Sequence, residues 1–431
     1  MKKPIDAYFG SWWKICRSPL ARNAGWVMAG QGAGLLFQAV YFLVLARLLG
    51  VTEYGIFAGA FALTSLLGQY SALGTGTVLL RYVSADARGF QSYWGNVLIT
   101  TIGMGAMFTV VLHFIAIHLL NHQSAALVVP AAIANCICAP LVVETSRVFQ
   151  AFEKMRAMAI VNLSTSFVRT STVGLMFFVC HRATALQWSV ASMLISLFGA
   201  ILAAVWASVA LGQPRSDTNL LLQRGWEGFG YSFASSTSAV YNDLDKTILG
   251  HYGMNKANGV YTMAYRILDI TTVPIIALKD AALPRLFRLG RYGLGHTSDM
   301  SQRLLKKALP LSLAISFLLF LASPSIPRIV GNGFSDVVLA LRLLFLIPVF
   351  RCVHQIMGSA LTSSGLQRYR TLTQFMAALM NLGLNLWLIP VHGWRGAAWS
   401  SVATDGALVI MNCAIVLILR SRVRELTVAR P

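Results

Sequence analysis

The sequence predicts an all-α polytopic membrane protein, with about 12 transmembrane helices in two pseudo-symmetric six-helix lobes around a central cavity. Three observations predict this fold: the composition, the number of long apolar segments and an internal repeat. Apolar residues make up 56% of the 431 residues and charged residues only 12%, whereas a typical soluble domain is about 25% charged. Polar groups are too few to cover a globular surface, so lipid must cover it.

Twelve segments are long and apolar enough for a membrane-spanning helix, which needs about 20 mostly apolar residues. The seventh is the weakest, because it is rich in Ser, Thr and charged residues. Such a helix must face a cavity or other protein rather than lipid. The predicted segments are 24–47, 55–81, 93–119, 124–148, 157–180, 184–211, 227–250, 257–283, 308–330, 337–362, 371–391 and 395–419.

The formal net charge of +20 is distributed unevenly, and its distribution predicts the orientation. Most of the 35 Lys and Arg residues lie before the first segment, in alternate connections, or after the last segment. Cytoplasmic loops carry the excess of basic residues in membrane proteins, so both termini are predicted to be cytoplasmic. The predicted outer loops carry Arg47, Arg182, Lys256, Arg328 and Arg395.

The first 22 residues precede the spans. Ile5, Tyr8, Phe9, Trp12 and Cys16 recur there at three- and four-residue steps. This spacing predicts a short amphipathic helix on the cytoplasmic headgroups; a disordered basic tail is the alternative.

A repeated motif explains the even number of spans. "LARLLGVTEYGIFAGAFAL" begins at Leu45, and "TILGHYGMNKANGVYTMAYRIL" begins at Thr247. Both contain an apolar stretch, Leu-Gly, a short polar break, then Gly, a branched aliphatic residue and an aromatic one. The repeat predicts two six-span halves related by an axis along the membrane normal. The predicted parts are a cytoplasmic N-terminal segment 1–22, an N-lobe 23–211, a cytoplasmic linker 212–226, a C-lobe 227–420 and a cytoplasmic tail 421–431.

The glycines and tryptophans of the predicted spans allow two further predictions. The glycine pairs Gly55/Gly59 and Gly74/Gly76 fit close packing of helices. Tryptophans near the predicted span ends are expected to anchor the chain at the membrane interface; they include Trp94, Trp188 and Trp226.

Three stretches of the sequence resemble bacterial oligosaccharide (O-antigen type) flippases, in the polysaccharide transporter branch of the multidrug/oligosaccharidyl-lipid/polysaccharide superfamily. They are the first repeat followed by "GQYSALGTGTVLLRYVS", then "NDLDKTILGHYGMNKANGVYTMAYRI", and "IPVHGWRGAAWSSVATDGALV". The resemblance covers nearly the whole chain in order. It implies export of an undecaprenyl-diphosphate-linked oligosaccharide from the inner to the outer leaflet of the bacterial inner membrane. It also implies membrane lipids, a polysaccharide polymerase and chain-length proteins as partners, and no nucleic acid.

Such a substrate carries a diphosphate and sugars that would be stranded in bare lipid at several kcal/mol or more per group. A carrier needs a wet, cationic cavity, and Arg matches phosphate oxygens bidentately. The spacing of Arg266 and Asp269 allows them to pair on one helix face, and two acids flank Lys246. Arg169, Arg351 and Asp405 have no partner nearby in sequence, and Arg351 shares a helix face with His354. Asp405 is therefore a candidate proton carrier.

The predicted substrate-binding residues are Arg169, Arg266, Arg351, Lys246, Arg47 and Arg81; the predicted coupling residues are Asp405 and Asp269. Each membrane-level arginine has a structural ion pair as the alternative. For Arg47 and Lys246 the alternative is a side chain that extends to the interface, and for Arg81 it is plain anchoring at the inner face.

Two other functions stay open. A cation-coupled drug antiporter on the same fold would place unpaired acids in its cavity. A membrane-embedded polysaccharide polymerase would usually carry a large outer loop or a soluble catalytic segment, and neither is evident. The six cysteines include no C-x-x-C spacing. The sequence therefore predicts no enzyme, no cofactor and no metal site.

Overall fold

The computed structural model describes the backbone of residues 19–428. Side chains are described in that range except at 19–24, 27, 233–242, 284 and 422–428. The predicted amphipathic segment lies almost wholly outside the described residues, and so does the end of the predicted tail. Within residues 19–428 the chain is helical and contains no strand, which confirms the predicted all-α class.

The chain divides into two compact units. Unit 1 comprises Met1–Leu48, Leu67–His118 and Ala126–Ser235, and unit 2 comprises Leu49–Leu66, Leu119–Ala125 and Ser236–Pro431. The boundaries fall inside four helices, so the units do not coincide with an uninterrupted first and second half of the sequence.

The helices of unit 1 enclose an apolar core. Trp94, Val97, Phe149 and Val161 are among its buried residues. The helices are α1 (Pro19–Gly68, up to Leu48 in this unit), α2 (Thr75–Val83), α3 (Phe90–Leu119), α5 (Val128–Ala132), α6 (Ala139–Ala151), α7 (Met155–Cys180), α8 (Ala185–Leu211) and the first part of α9 (Thr218–His251), with a π-helix at Ile133–Cys138 between α5 and α6.

Unit 2 has its own apolar core, in which Ile275, Leu304, Ile356 and Met357 are buried. It contains the middle of α1 and the second part of α9. Its other helices are α4 (His122–Ala126), α10 (Asn255–Gly290), α11 (Leu294–Ala322), α12 (Ile326–Val330), α13 (Val337–Leu343), α14 (Ile347–Ser363), α15 (Gln367–His392) and α16 (Trp394–Val428).

Each predicted segment lies mainly in helix, but length and composition alone select fewer spans. In the described residues, eight helices are long and apolar enough to cross a membrane, or nine if one bent pair counts as one span. Segment 24–47 and the first part of segment 55–81 lie in α1, on either side of a break in helical geometry at Gly50. Segments 227–250 and 257–283 lie in α9 and α10, which are not among the selected helices. The chain is a multi-pass membrane protein.

Several predicted spans are interrupted in the structure. α1 changes direction at Gly50, whose φ of 71° suits glycine. The second predicted span is broken between Gly68 and Thr75. The tenth consists of α13 and α14, which bend by 48°. Pro348 lies in the first turn of α14, where a missing N–H costs nothing but a helix cannot continue through it unbroken.

The two copies of the repeated motif pack against each other within unit 2. A Cβ on Gly55 would lie 1.8 Å from the carbonyl oxygen of Asn255, and a Cβ on Gly259 would lie 2.0 Å from that of Val51. Only glycine allows so close an approach of the backbones. Asn258 fixes the contact, because its amide donates to the Gly55 carbonyl at 3.0 Å. The prediction of close packing at Gly55 is confirmed.

Two of the tryptophans predicted as interface anchors are core residues instead. Trp94 and Trp188 are fully buried, and the Trp94 indole donates to the Ser208 hydroxyl at 2.9 Å. The expectation for both residues is wrong, because position near a span end does not show which way a side chain faces. Trp226 is exposed.

Candidate functional site

Lys246 is the centre of a buried polar cluster near the end of α9. Its Nζ lies 3.3 Å from a carboxylate oxygen of Asp243 and 3.3 Å from one of Asp245. The hydroxyl of Ser65 donates to Asp243 at 3.0 Å. Lys246 is therefore held inside unit 2, so the alternative of a side chain extending to the interface is wrong for this residue.

Two tyrosines of α10 complete this cluster. The Tyr261 hydroxyl donates to Asp245 and lies 2.8 Å from the hydroxyl of Ser401 on α16. The Lys246 ammonium lies 4.8 Å from the centre of the Tyr265 ring, a distance at which the ring face attracts a cation. The tyrosines thus connect the lysine of α9 with α10 and α16.

Arg351 of α14 has two carboxylate neighbours. Its Nη1 lies 2.8 Å from Oδ1 of Asp269, and its Nε lies 4.0 Å from Oδ2 of Asp405. Arg266 also approaches Asp269, at 3.9 Å, which confirms the pair predicted from the three-residue spacing. Arg351 and Asp405 have no partner nearby in sequence, and the structure gives both an ion pair between helices, which was the alternative for Arg351. Their partners lie on other helices, and spacing along one helix cannot reveal them.

His354 lies on the same face of α14 as Arg351, as predicted. Its Nε2 is 3.4 Å from Oδ1 of Asp405, and both side chains are buried. The His354 carbonyl accepts a hydrogen bond from the Asn412 amide at 3.2 Å. α14 and α16 are thus joined by polar contacts around Asp405.

The Tyr265 ring connects the cluster at Lys246 with the cluster at Arg351. Its centre lies 4.8 Å from the Lys246 ammonium and 5.7 Å from the Arg351 guanidinium. We call the combined set the unit 2 charge network. Its members are Asp243, Asp245, Lys246, Tyr261, Tyr265, Arg266, Asp269, Arg351, His354 and Asp405.

Arg169 of α7 has a different environment in unit 1. Its guanidinium lies 4.4 Å from the centre of the Tyr41 ring and donates to the Tyr41 hydroxyl at 2.9 Å. Tyr41 in turn packs against Trp188 with ring centres 5.7 Å apart. Among the side chains that the structure describes, Arg169 forms no ion pair with a carboxylate. An aromatic surface positions this guanidinium without neutralising it.

Arg81 lies at the end of α2 and is exposed. Its Nη1 is 2.6 Å from Oε1 of Glu227 on α9, and the Tyr82 hydroxyl donates to the other oxygen of that carboxylate at 3.1 Å. The structure thus gives Arg81 a specific partner in unit 1. Arg47 is also exposed, on α1, as a residue at the interface would be.

A second pair with three-residue spacing is present within unit 1. Arg147 lies 2.6 Å from Glu144. The buried Glu144 carboxylate occupies the space over Gly76, where a Cβ would lie 1.3 Å from its Oε2. Position 76 must therefore be glycine, because any side chain there would clash with the Glu144 carboxylate. Close packing of the helices is a second reason.

Tyr261, Tyr265, Glu227 and Tyr41 were not identified from the sequence. One signal for Tyr261 exists in the repeat, where it occupies the position of Phe57. A hydroxyl added at a buried aromatic position must find a polar partner, and here that partner is Asp245. The other three make contacts with distant parts of the chain, for which the sequence offers no comparable signal.

Comparison with known proteins places these features in a family. The chain is first of all a polytopic protein built from two helical units, with charged residues in its membrane-level helices. Residues 20–290 match the model of a family described as polysaccharide biosynthesis protein. The match covers more than half of the chain, and the chain belongs to this family. No curated protein matches the chain in sequence.

Solved structures share the fold over nearly the whole chain. One is an inward-facing multidrug resistance MATE family transporter of the MOP superfamily, at 17% identity and a TM-score of 0.69, with 93% of this chain and 96% of that chain covered. The lipid II flippase MurJ in an inward closed conformation gives 13% identity and a TM-score of 0.69, with 91% and 87% covered. A MOP superfamily transporter from Pyrococcus furiosus gives 14% identity and a TM-score of 0.56, with 93% and 96% covered. At these identities the likeness establishes the fold.

Proposed function

We propose that this protein is a flippase for undecaprenyl-diphosphate-linked oligosaccharide repeat units. It moves them from the inner to the outer leaflet of the bacterial inner membrane by alternating access, for surface or exopolysaccharide synthesis. Membership of a polysaccharide biosynthesis family and a fold shared with a lipid II flippase support the proposal. It acts as a transporter and not as an enzyme, with a polysaccharide polymerase and chain-length proteins as its partners.

The observation that carries the proposal is the set of cations held at membrane level in unit 2. Arg351 and Arg266 share the carboxylate of Asp269. The Asp269 side chain is 45% exposed, whereas the two arginine side chains are mostly buried. A diphosphate can compete for these guanidinium groups, since phosphate oxygens accept the same bidentate hydrogen bonds as a carboxylate. The pairs with Asp269 keep the arginines in place when no substrate is bound.

The other predicted residues have roles along the same path. Arg169 and Lys246 contribute positive charge to head-group binding. Arg81 meets the diphosphate near the inner face, and Arg47 acts near the outer face. Asp405 and Asp269 couple transport to an ion gradient. The orientation follows from the basic residues, with both termini cytoplasmic.

Reporter fusions test the orientation. Fusions after Arg88, Arg224 and Arg370 are expected to give a cytoplasmic signal, and fusions within 118–123 and 332–335 a periplasmic one. A periplasmic signal after Arg224 contradicts the proposed arrangement of six spans before the linker.

A deletion strain tests the function. Loss of the protein is expected to cause lipid-linked oligosaccharide to accumulate on the inner leaflet, and the wild-type chain is expected to reverse this. Arg351→Lys at matched membrane abundance is the comparison variant, because it retains the charge and loses the planar fork. Unchanged inner-leaflet pools in the deletion strain contradict the proposal.

One observation favours a second candidate, a cation-coupled drug antiporter. The unit 2 charge network contains four carboxylates but three permanently basic side chains. An excess of carboxylate suits a cationic ligand better than an anionic one. Drug susceptibility of the deletion strain distinguishes the candidates: increased susceptibility to lipophilic cations with normal glycan export supports the antiporter.

A further inference from the structure

The carboxylate of Glu227, in the first part of α9, is surrounded by hydrogen-bond donors from α2 and from α9 itself. Its Oε1 lies 2.6 Å from Nη1 of Arg81 and accepts from the Tyr231 hydroxyl at 3.4 Å. Its Oε2 accepts from the Tyr82 hydroxyl at 3.1 Å and lies 4.0 Å from Nη1 of Arg224. We call the four donor residues the Glu227 site: Arg81, Tyr82, Arg224 and Tyr231. All of them belong to unit 1.

The donors of the Glu227 site exceed what one carboxylate can accept. Each guanidinium carries five N–H donors, whereas a carboxylate has only two oxygens. Glu227 reaches Arg81 at hydrogen-bond distance, but its contact with Arg224 is longer than a hydrogen bond. The Nε of Arg224 forms no hydrogen bond with another described residue. Two cations thus face one anion that is too small to serve both of them.

Aromatic rings position Arg224 without cancelling its charge. Its guanidinium lies 4.4 Å from the centre of the Tyr82 ring, a distance at which a ring face attracts a cation. Tyr82 in turn stacks on Tyr93 of α3, with ring centres 5.8 Å apart and planes within 4° of parallel. Arg224 therefore has a support that does not depend on the Glu227 carboxylate.

The backbones on both sides of the site are held by a close contact between two glycines. A Cβ on Gly74 would lie 2.0 Å from the carbonyl oxygen of Gly228, and a Cβ on Gly228 would lie 2.5 Å from that of Leu73. This packing does not involve the side chain of Glu227. Its ion pair with Arg81 is partly exposed, at 24% and 60% of the two side chains, and such pairs contribute little to stability. The Glu227 side chain can therefore leave while the donors stay in place.

The site lies on the polar side of α9. Arg224, Glu227 and Tyr231 recur at steps of three and four residues, so they share one face of the helix. Leu222 and Trp226 point away from that face and are 81% and 83% exposed, as apolar side chains in contact with lipid would be. A ligand at this site is therefore a charged group and not an acyl chain.

We propose that the Glu227 site binds a diphosphate group and that the Glu227 carboxylate occupies the site when no ligand is bound. The donors form two pairs, Arg81 with Tyr231 and Arg224 with Tyr82. A diphosphate presents one phosphate to each pair, and arginine holds phosphate oxygens by two parallel hydrogen bonds. Glu227 competes with the ligand and so keeps its binding reversible. The choice of a lipid-linked diphosphate rests on the proposed function, whereas the anion site does not.

Modification of the arginines in the wild-type chain tests the site without a variant. The full-length protein in phosphatidylcholine nanodiscs is treated with phenylglyoxal, and modified peptides are quantified by mass spectrometry. Inorganic pyrophosphate is expected to protect Arg81 and Arg224 several-fold, and orthophosphate at the same concentration to protect them less. Arg88, an exposed arginine paired with Asp86 in the turn after α2, is the control and is expected to react equally in all samples. Equal reaction of Arg81 and Arg224 with and without pyrophosphate overturns the site.

The affinity for pyrophosphate, measured by isothermal titration calorimetry, tests the competing role of Glu227. Glu227→Gln is expected to bind about two- to fivefold more tightly than wild type, which is the range of one exposed ion pair. Arg224→Gln is expected to bind more weakly. Asp86→Asn removes the same charge from a nearby exposed pair and is expected to match wild type. An equal gain for Glu227→Gln and Asp86→Asn, or no gain for Glu227→Gln, overturns the competition.

Two lipids identify the source of the diphosphate. Nanodiscs that contain undecaprenyl diphosphate are expected to protect Arg81 and Arg224, and nanodiscs with the same content of phosphatidylglycerol, which has one phosphodiester, are not. Protection by pyrophosphate alone overturns the lipid-linked ligand and leaves the anion site. Equal protection by phosphatidylglycerol overturns the preference for a diphosphate.

Export in cells separates this inference from the proposed function. If the deletion strain accumulates lipid-linked oligosaccharide and pyrophosphate protects neither arginine, the Glu227 site is overturned while the flippase stands. If the deletion strain shows no accumulation but pyrophosphate protects both arginines, the flippase proposal fails and the anion site stands.

Discussion

Arg169 in unit 1 and Arg351 in unit 2 are both membrane-level arginines, but their surroundings differ in charge. Arg169 lies over Tyr41, with the guanidinium 4.4 Å from the ring centre. Arg351 lies 2.8 Å from Asp269 and 4.0 Å from Asp405. An aromatic ring positions a cation and leaves its charge available, whereas carboxylates position it and cancel its charge. The same residue type therefore serves two purposes in one chain.

The largest expected effect is on the protein itself, at Arg351. Arg351→Ala removes the guanidinium from Asp405 and leaves Asp269 only its longer contact with Arg266. Loss of one partner from a fully buried pair costs about 3–5 kcal/mol, and less here because Asp269 is 45% exposed. Membrane abundance measured by quantitative blotting is expected to fall severalfold. Adding Asp405→Asn is expected to restore part of it.

Arg169→Ala is the matched control for abundance, since it leaves no carboxylate unpaired among the described neighbours. Abundance close to wild type is expected. An equal loss of both alanine variants would break the comparison, because it would show that the aromatic environment is as structural as the ionic one.

The second effect concerns export by Arg169→Ala. A hydrogen bond to a charged group contributes about 1.5–3 kcal/mol, so export per protein molecule is expected to fall by roughly one to two orders of magnitude. The assay is pulse-labelled surface glycan normalised to protein in the membrane. Arg182→Ala, at an exposed basic residue beyond α7, serves as control and should export normally. Normal export by Arg169→Ala would remove this residue from the substrate path.

Lysine substitutions are expected to have intermediate effects. Arg169→Lys and Arg351→Lys keep the charge but lose the planar fork. Arg351→Lys should retain most of the abundance that Arg351→Ala loses, while both lysine variants export several-fold less than wild type. If Arg351→Lys accumulates as poorly as Arg351→Ala, the bidentate geometry and not the charge stabilises that cluster.

The smallest effect is expected for Tyr41→Phe. The ring under the Arg169 guanidinium remains, but the hydroxyl that accepts its hydrogen bond at 2.9 Å is lost. The cost is about 1 kcal/mol, measurable as a lowered midpoint of thermal unfolding in detergent. Tyr41→Leu, which also removes the ring, should lower the midpoint further. Equal midpoints for the two variants would show that the ring contributes nothing.

The helices could be predicted from composition because spanning segments must be long, apolar and internally hydrogen-bonded. Breaks within them were harder to predict. The break after Gly68 and the bend before Pro348 each interrupt an apolar stretch that reads as continuous. Hydropathy indicates whether lipid or water surrounds a segment, but it does not indicate where the helix breaks or bends.

Some charge pairs could be predicted from the sequence and others could not. Pairs within one helical turn, such as Arg266 with Asp269 and Glu144 with Arg147, were predictable because three-residue spacing places side chains together. The partner of Arg351 on α10 is 82 residues away in sequence. Such contacts depend on how helices are placed by packing, and the sequence alone does not specify that placement.

The contact between the repeated motifs has a consequence for which substitutions this chain tolerates. In the repeat, Val51 corresponds to Asn255 and Gly55 to Gly259, so the approach of Gly55 to Asn255 and that of Gly259 to Val51 are one contact formed twice. Two identical half-length polypeptides would form the same contact as a symmetric homodimer, with a single glycine codon serving both sides. In the single chain the two sides are encoded separately, so each position must be glycine by itself. Val51 and Asn255 differ in side chain, whereas glycine occupies both position 55 and position 259, because each backbone approach leaves no room for a Cβ.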